Sequence, residues 1–220
     1  MRELSLVFRH PDFYILNKPA GAPMHANDHE AGIVTQLAER LQETLYPVHR
    51  LDTPTSGVLL VARSSAAAAA LSGLFAHRAI EKIYIAIAAG KPSKKQGLIK
   101  GDMDKVRRGN WRLLHTQKNP AVTRFFSYSL KPGYRYYLLH PQTGKTHQLR
   151  VALKSIGAPI CGDTRYGGEP AEHLHLHAWQ VEFNYADQHF CVQAPIPHYG
   201  LFAELPSNLA EILKNNIDDE

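Results

Sequence analysis

Apolar residues recur along this chain in two periods, one near 3.6 and one near 2. Val34, Leu37, Ala38, Leu41 and Leu45 fall three and four apart and predict a helix over Ile33–Leu45. The Ala-rich run Ser64–His77 predicts a second helix, with Ser64 or Ser65 as its N-cap. A third is expected over Thr146–Ile156. Thr146 would cap it, Leu149, Ala152, Leu153 and Ile156 form its apolar face, and Gly157 and Pro159 end it. Pro206 opens a fourth, Pro206–Asn216. Strands are predicted at Phe13–Leu16, Val58–Ala62 and Ile83–Ile87, where short apolar or β-branched runs follow turns. Asn17-Lys18-Pro19-Ala20-Gly21 reads as the turn closing the first of these. Two further pairs, Thr123–Leu130 with Tyr134–Leu139 and Leu174–Tyr185 with His189–Gln193, flank short polar turns. Strands outnumber helices, and no regular β-α-β-α alternation exists. The expected fold is α+β, with a mixed or antiparallel central sheet and flanking helices and loops.

Composition narrows the class. With 220 residues, 44% of them hydrophobic, the chain can bury a full core without disulfide or metal staples. Two cysteines, Cys161 and Cys191, make no disulfide framework, so a reduced, cytoplasmic setting is expected. The first residues hold no signal-peptide stretch, and the longest apolar run, Ile83–Ala89, is far below the roughly 18–20 residues of a membrane helix. The formal charge is +5, from 25 Lys+Arg and 20 Asp+Glu. The excess is local. Lys91–Lys118 holds nine basic residues, Lys105, Arg107 and Arg108 among them, against only Asp102 and Asp104. It also carries Gly97, Gly101, Gly109 and Trp111, and reads as a loop-rich segment. Such a cluster suits a polyanion, because it gains affinity by releasing phosphate counterions. It equally suits a solvated loop that keeps the protein in solution.

Three segments could carry chemistry. In His49-Arg50-Leu51-Asp52-Thr53-Pro54-Thr55-Ser56-Gly57, a carboxylate sits between an arginine and a turn stiffened by Pro54, just before a buried strand. Asp52 could be a base or nucleophile, or could close an Asx-turn on nearby backbone N–H groups. In Gly144–Arg150, the expected helix puts His147, Arg150 and Lys154 on one polar stripe. Arg150 could hold a carboxylate ionised, or the stripe could be a solvated face. In His173-Leu174-His175-Leu176-His177, a strand would put all three imidazoles on one face. Beyond Glu172 no acidic or thiol ligand lies nearby to complete a metal shell, so a structural or phosphate-facing role is expected and no metal.

Together these segments resemble the RluA-type family of RNA pseudouridine synthases. His49–Gly57 resembles the family's H-R-L-D-x-x-T-S-G block, and Lys82-Ile83-Tyr84 its K-x-Y block. TGKTHQLR over Thr143–Arg150 and GAPICGDTRYG over Gly157–Gly167 resemble its third block. Val7–His25, Leu176-His177-Ala178 and Ala194-Pro195 resemble its opening and closing segments. One departure is Ala152, where many relatives carry His.

The resemblance implies that uridine in structured RNA, ribosomal or transfer, is isomerised to pseudouridine. It makes Asp52 the catalytic aspartate, Tyr84 the aromatic under the flipped base and Arg150 the partner of Asp52. Arg50 is the residue implied to enter the RNA where the target nucleotide leaves. Lys82, His147 and Gln148 are expected to face RNA at the same cleft, with Lys105, Arg107 and Arg108 gripping it from the basic stretch. The reaction is redox-neutral, so no cofactor is expected. A buried base must flip out to be reached, most cheaply from a single-stranded loop. Residues 1–220 are expected to form one catalytic domain, monomeric, without the S4 RNA-binding domain of many relatives. The rival expectation is a non-catalytic RNA-binding or remodelling protein using the same cleft. An Asp/His hydrolase fits less well, since no G-x-S-x-G setting is present.

Overall fold

Successive residues of a strand point to opposite faces, and here both faces of the central strands are apolar. The computed structural model describes residues 4–209 and 212. In chain order the elements are β1 (Ser5–Arg9), β2 (Phe13–Lys18), α1 (Ile33–Leu41), β3 (Tyr46–Pro47) and β4 (Ser56–Ala62). Then come α2 (Ser65–Ala76), β5 (Ile80–Ala89), β6 (Gln96–Gly101), β7 (Met103–Lys105) and β8 (Trp111–Leu113). The chain continues through β9 (Ala121–Lys131), β10 (Tyr134–Pro141), α3 (Gln148–Ser155), β11 (Leu176–Tyr185) and β12 (Gln188–Gln193). Among the described residues ten strands form one sheet, whose main path runs β1-β2-β4-β11-β5-β10-β9-β6. β3 pairs with β4, β12 pairs with β11, and β7 and β8 form a separate two-stranded ribbon. The β4–β11 pair is parallel and the other pairs are antiparallel, so the sheet is mixed and the α+β expectation holds.

The alternation sorts the core into two layers. Tyr14, Leu16, Leu59 and Val61 face α1 through Ile33, Val34 and Leu37. On β5 and β10, Ala86, Ala88, Tyr137 and Leu139 face α3 through Leu149, Ala152 and Leu153. Tyr84 packs against both of these clusters, at the seam between them. The opposite face buries Phe13, Ile15, Val58 and Leu60 under Ala67 and Leu71 of α2. Ile83, Ile85, Ile87 and Leu138 lie under Trp179, Phe202 and Leu209. Each fully buried Leu or Ile contributes about 1.5–3 kcal/mol, so the two layers dominate the stability.

Most predicted elements are present, with shifted ends. α1 stops at Leu41 and not at Leu45, because Gln42 turns left-handed (φ 55°) and Glu43 N–H closes back on the Ala38 carbonyl at 3.1 Å. Glu43 then pairs with Arg63 at 2.9 Å, while Leu45 stays buried in the α1 layer. α2 follows its predicted bounds within a residue, and Ser64 Oγ accepts the Ala67 N–H at 3.1 Å as its cap. α3 departs more. It begins at Gln148, and its N-cap is His147, not Thr146. The basic stretch is not mainly loop: it contains β6 and the β7–β8 ribbon, whose turn is a single 3-10 turn at Arg107–Gly109. The last expected helix, Pro206–Asn216, falls largely outside the described residues. Among the described residues no helix is long and apolar enough to cross a membrane.

The three histidines do share a face, though only His177 lies on β11. That face is covered by the C-terminal turn at Gly200–Glu204. His173 and His175 pack on Tyr199, and His175 and His177 on Phe202. His175 Nε2 accepts the Leu201 N–H at 3.0 Å, and His177 Nδ1 lies 2.8 Å from Ser56 Oγ. Among the described residues no group of His, Cys, Asp and Glu is arranged to hold a metal ion.

Candidate active site

The loop between β3 and β4 is fastened at several points. Leu51 is buried in the α1 layer. His49 Nε2 accepts the Leu60 N–H at 2.9 Å, and its ring stacks on Phe75 at 4.4 Å. Burial, with the Lys82 charge adding to it, pushes the His49 pKa down to about 3, so this imidazole is a neutral acceptor. From below, Lys18 is fully buried and its ammonium donates to the carbonyls of Ala22 (2.7 Å), Thr53 (2.9 Å) and Pro19 (3.1 Å). It thereby ties the turn after β2 to the residue next to Asp52. Gly57 sits at φ 109°, and a Cβ there would run into the Ala178 carbonyl of the parallel neighbour β11.

Asp52 makes its turn through the backbone. The Thr55 N–H donates to the Asp52 carbonyl at 3.0 Å, whereas the carboxylate faces Arg150. Arg150 Nη1 donates to Asp52 Oδ2 at 3.3 Å. The expected pair is present, but it is not the closest one. Nε and Nη2 of Arg150 donate to the two oxygens of Asp163 at 2.7 and 2.8 Å, a bidentate fork. The Arg150 and Asp163 side chains are only 7% and 1% exposed, against 20% for Asp52. One guanidinium therefore joins a buried anchor to a carboxylate that still reaches solvent.

His147 flanks this cluster in a left-handed conformation, φ 57°. A non-glycine residue there stores about 1–3 kcal/mol, and such strain gathers at functional sites. Its Nε2 lies 3.9 Å from Asp52 Oδ2, and its Nδ1 lies 2.7 Å from the Tyr166 hydroxyl. That hydroxyl accepts the Trp111 N–H at 3.1 Å, which links the β7–β8 ribbon to the site. Burial lowers the His147 pKa, and the Asp52 charge opposes this. The predicted stripe of His147, Arg150 and Lys154 converges on Tyr166: the Arg150 and Lys154 charges lie over its ring at 5.1 and 5.6 Å.

Gln148 lines the same cleft, and its amide is fully engaged within the protein. It is 5% exposed. Its Oε1 accepts from Thr143 Oγ1 (2.7 Å) and Lys145 N–H (3.0 Å), and its Nε2 donates to Val122 O and Thr123 Oγ1 at 3.0 Å each. These bonds hold the start of α3, the task expected of a Thr146 cap. Tyr84 lies on β5 opposite Leu139 of β10 and Ala178 of β11. Burial first, and then the Asp52 charge, raises its pKa, so its hydroxyl stays protonated.

Asp52, Tyr84, His147 and Arg150 line one cleft of about 540 Å³, with Arg50 and Lys82 on its wall. Lys82 has its pKa lowered by burial and by Arg78, a second left-handed residue (φ 59°) that also lines the cleft. Lys105 and Arg107 lie outside it, exposed on the ribbon and its turn. The backbone of Arg108 belongs to the same turn. Sequence reasoning missed Lys18, Arg78, Asp163 and Tyr166. Asp163 and Tyr166 lie inside the GAPICGDTRYG segment, and Lys18 lies at the end of β2, where the sequence predicts a turn, but no local pattern shows what they touch.

Fold and site define an α+β enzyme with a carboxylate at the centre of a cationic cleft and an aromatic ring beside it. Residues 12–155 match the family described as RNA pseudouridylate synthase. A Haemophilus influenzae protein named as an RNA pseudouridine synthase is 45% identical over 213 residues, covering 96% of this chain and 95% of that one. The tRNA pseudouridine synthase C of Vibrio parahaemolyticus is 34% identical over 183 residues, 75% of this chain and 74% of its own. Among solved structures, Human RNA Pseudouridylate Synthase Domain Containing 1 superposes with a TM-score of 0.80 at 26% identity, over 97% of this chain and 94% of that one. The chain belongs to the RNA pseudouridine synthase family. It is an isomerase that converts uridine in RNA to pseudouridine.

Proposed function

We propose that Asp52 is the carboxylate that carries this isomerisation. The reaction breaks the N1–C1′ bond of uridine, turns the base and joins C5 to C1′. C5 loses its proton and N1 gains one, so atoms and electrons balance without an oxidant or a second substrate. Asp52 serves as the nucleophile toward the nucleotide or as the base toward the ribose, and Arg150 holds its charge in place. Tyr84 gives the flipped base a π-face. Arg50, Lys82 and His147 contact the nucleotide and its neighbours at the cleft. Gln148 acts through the start of α3, and Lys105, Arg107 and Arg108 hold phosphates farther out. The observation that carries this reading is the Asp52 carboxylate 3.3 Å from the buried Arg150 guanidinium in the cleft that Tyr84 also lines.

The substrate is a structured RNA, transfer or ribosomal, with its uridine in a loop where extrusion is cheap. The transfer-RNA relative supports the first of these. Residues 1–220 act as one catalytic domain and as a monomer, in the cytoplasm. The continuous sheet supports the single domain, since β11 of the last third lies between β4 and β5 of the first half. The test is tritium release from RNA labelled at uracil C5. Asp52→Asn keeps the shape of the side chain and loses its charge, and should abolish release while RNA still binds.

A further inference from the structure

A second cavity, about 420 Å³, opens beside the first, and Gly144, Lys145 and Thr146 line both. These three residues form a ridge, with the Asp52 cleft on one side and the β7–β8 ribbon on the other. The far side is lined by Trp111, Met103, Asp102, Lys118 and Asn119. The catalytic reading uses none of these side chains.

We propose that this cavity is a binding subsite for a nucleotide flanking the target uridine in the same RNA strand. The base lies on the Trp111 indole, and the phosphate between the two nucleosides crosses the ridge to the Lys118 and Lys145 ammonium groups. The proposal rests on the Asp52 cleft being the place where the target uridine is held.

The composition of the cavity selects this ligand. Trp111 is half-buried at the start of β8, so part of a large π-surface is open. An aromatic next to cations is the arrangement that holds single-stranded nucleic acid, with the ring taking a base and the cations the backbone. The one carboxylate present, Asp102, is already engaged. It accepts the backbone N–H groups of Lys118 (3.0 Å) and Asn119 (2.8 Å), which fixes the lysine-bearing turn at the rim. Lys145 Nζ donates to Asn119 Oδ1 at 2.8 Å, so this ammonium is held on the ridge rather than loose in solvent. Asn119 and the Met103 thioether complete a wall of mixed polarity, suited to the edge and face of a base. The backbone N–H of Trp111 also donates to the Tyr166 hydroxyl that meets His147, so the strand carrying the indole is built onto the same frame as Asp52. Two adjoining cavities with one shared cationic ridge match two adjoining nucleotides with one shared phosphate.

The fluorescence of Trp111 reports directly on the proposal. The only other tryptophan, Trp179, is 4% exposed in the core, so a stacked base quenches Trp111 selectively. A single-stranded oligonucleotide carrying a uridine is titrated into the full chain bearing Asp52→Asn, which takes turnover out of the signal. Saturable quenching is expected. Adding Trp111→Phe should abolish the quench, and Trp111→Ala should weaken binding by about tenfold in fluorescence anisotropy, the loss typical of one stacked base. Lys118→Ala, at an exposed position, should lower the log–log salt slope by about 0.7. The proposal is overturned if quenching persists in Trp111→Phe, or if Trp111→Ala and Lys118→Ala both bind with the affinity and salt slope of the parent. Quenching by a chain whose Asp52→Asn form still releases tritium supports the subsite and overturns the role of Asp52 instead.

Discussion

Arg150 stands between two carboxylates and is shared unequally. Its fork closes on Asp163 at 2.7 and 2.8 Å, and only Nη1 is left for Asp52 at 3.3 Å. Arg150→Ala therefore strands Asp163, which is far more buried than Asp52, and breaking a buried pair from one side typically costs about 3–5 kcal/mol. The urea midpoint should fall accordingly, and tritium release should fall with it. Arg150→Lys keeps one charge but cannot reproduce the fork. It should recover part of the stability and little of the activity. A normal midpoint for Arg150→Ala would mean that the fork contributes nothing to folding. At Asp52 the loss should be confined to chemistry: Asp52→Asn is expected to fold and bind RNA, with turnover more than tenfold below wild type in the C5 tritium assay. Asp52, Tyr84 and Arg150 were legible as a set because each lies in a block with a recognisable pattern. Asp163 was not, because what distinguishes it is the guanidinium it meets, and that meeting is set by how the turn after Ile160 packs against α3.

The elements differ in how far local pattern determined them. α2 follows its Ala-rich run and its Ser64 cap closely, since propensity and capping act within a few residues. The cap of α3 falls one residue later than the sequence implies, at His147. Thr146 has the chemistry of a cap, but Thr143 and Lys145 close on the Gln148 amide, and His147 takes the strained φ that aims its ring at Asp52. The basic stretch hid three strands, and two of them, the ribbon β7–β8, are only three residues long each. Its charge is partly neutralised, with Arg112 bound to Asp104 at 2.8 Å, while Lys105 and Arg107 remain exposed. Replacing Lys105, Arg107 and Arg108 together by Ala should weaken binding of every RNA tested. If all three meet phosphates, the log–log salt slope should flatten by roughly two units, since each contact on a single strand contributes about 0.7. An unchanged slope would make the turn of the ribbon a solvated one.

At the scale of the whole molecule, buried neutral histidines tie stability to pH. Burial pushes His49 down to about 3 and His177 down to about 4, from an ordinary value of 6.5. The native state thus binds fewer protons than the unfolded chain below pH 6.5. The stabilisation is complete above that value and is lost as pH falls toward 4 and then 3. Each of the two histidines should contribute a slope approaching 1.4 kcal/mol per pH unit. Urea midpoints should hold between pH 7.5 and 6.5 and fall from there to pH 5, and those of His177→Gln should fall less steeply; equal slopes would show that His177 is not the group involved. The sequence by itself determined the apolar periods, hence the α+β class, and the blocks that hold Asp52, Tyr84 and Arg150. Those signals are local, written in residues a few positions apart. The tertiary structure alone decided that β11 enters between β4 and β5, that Lys18 pins the Asp52 loop, and that Tyr166 joins His147 to the ribbon. These contacts link residues 19 to 121 positions apart, as His147 with Tyr166 and Ser56 with His177 show, and only tertiary packing brings such distant side chains to one place.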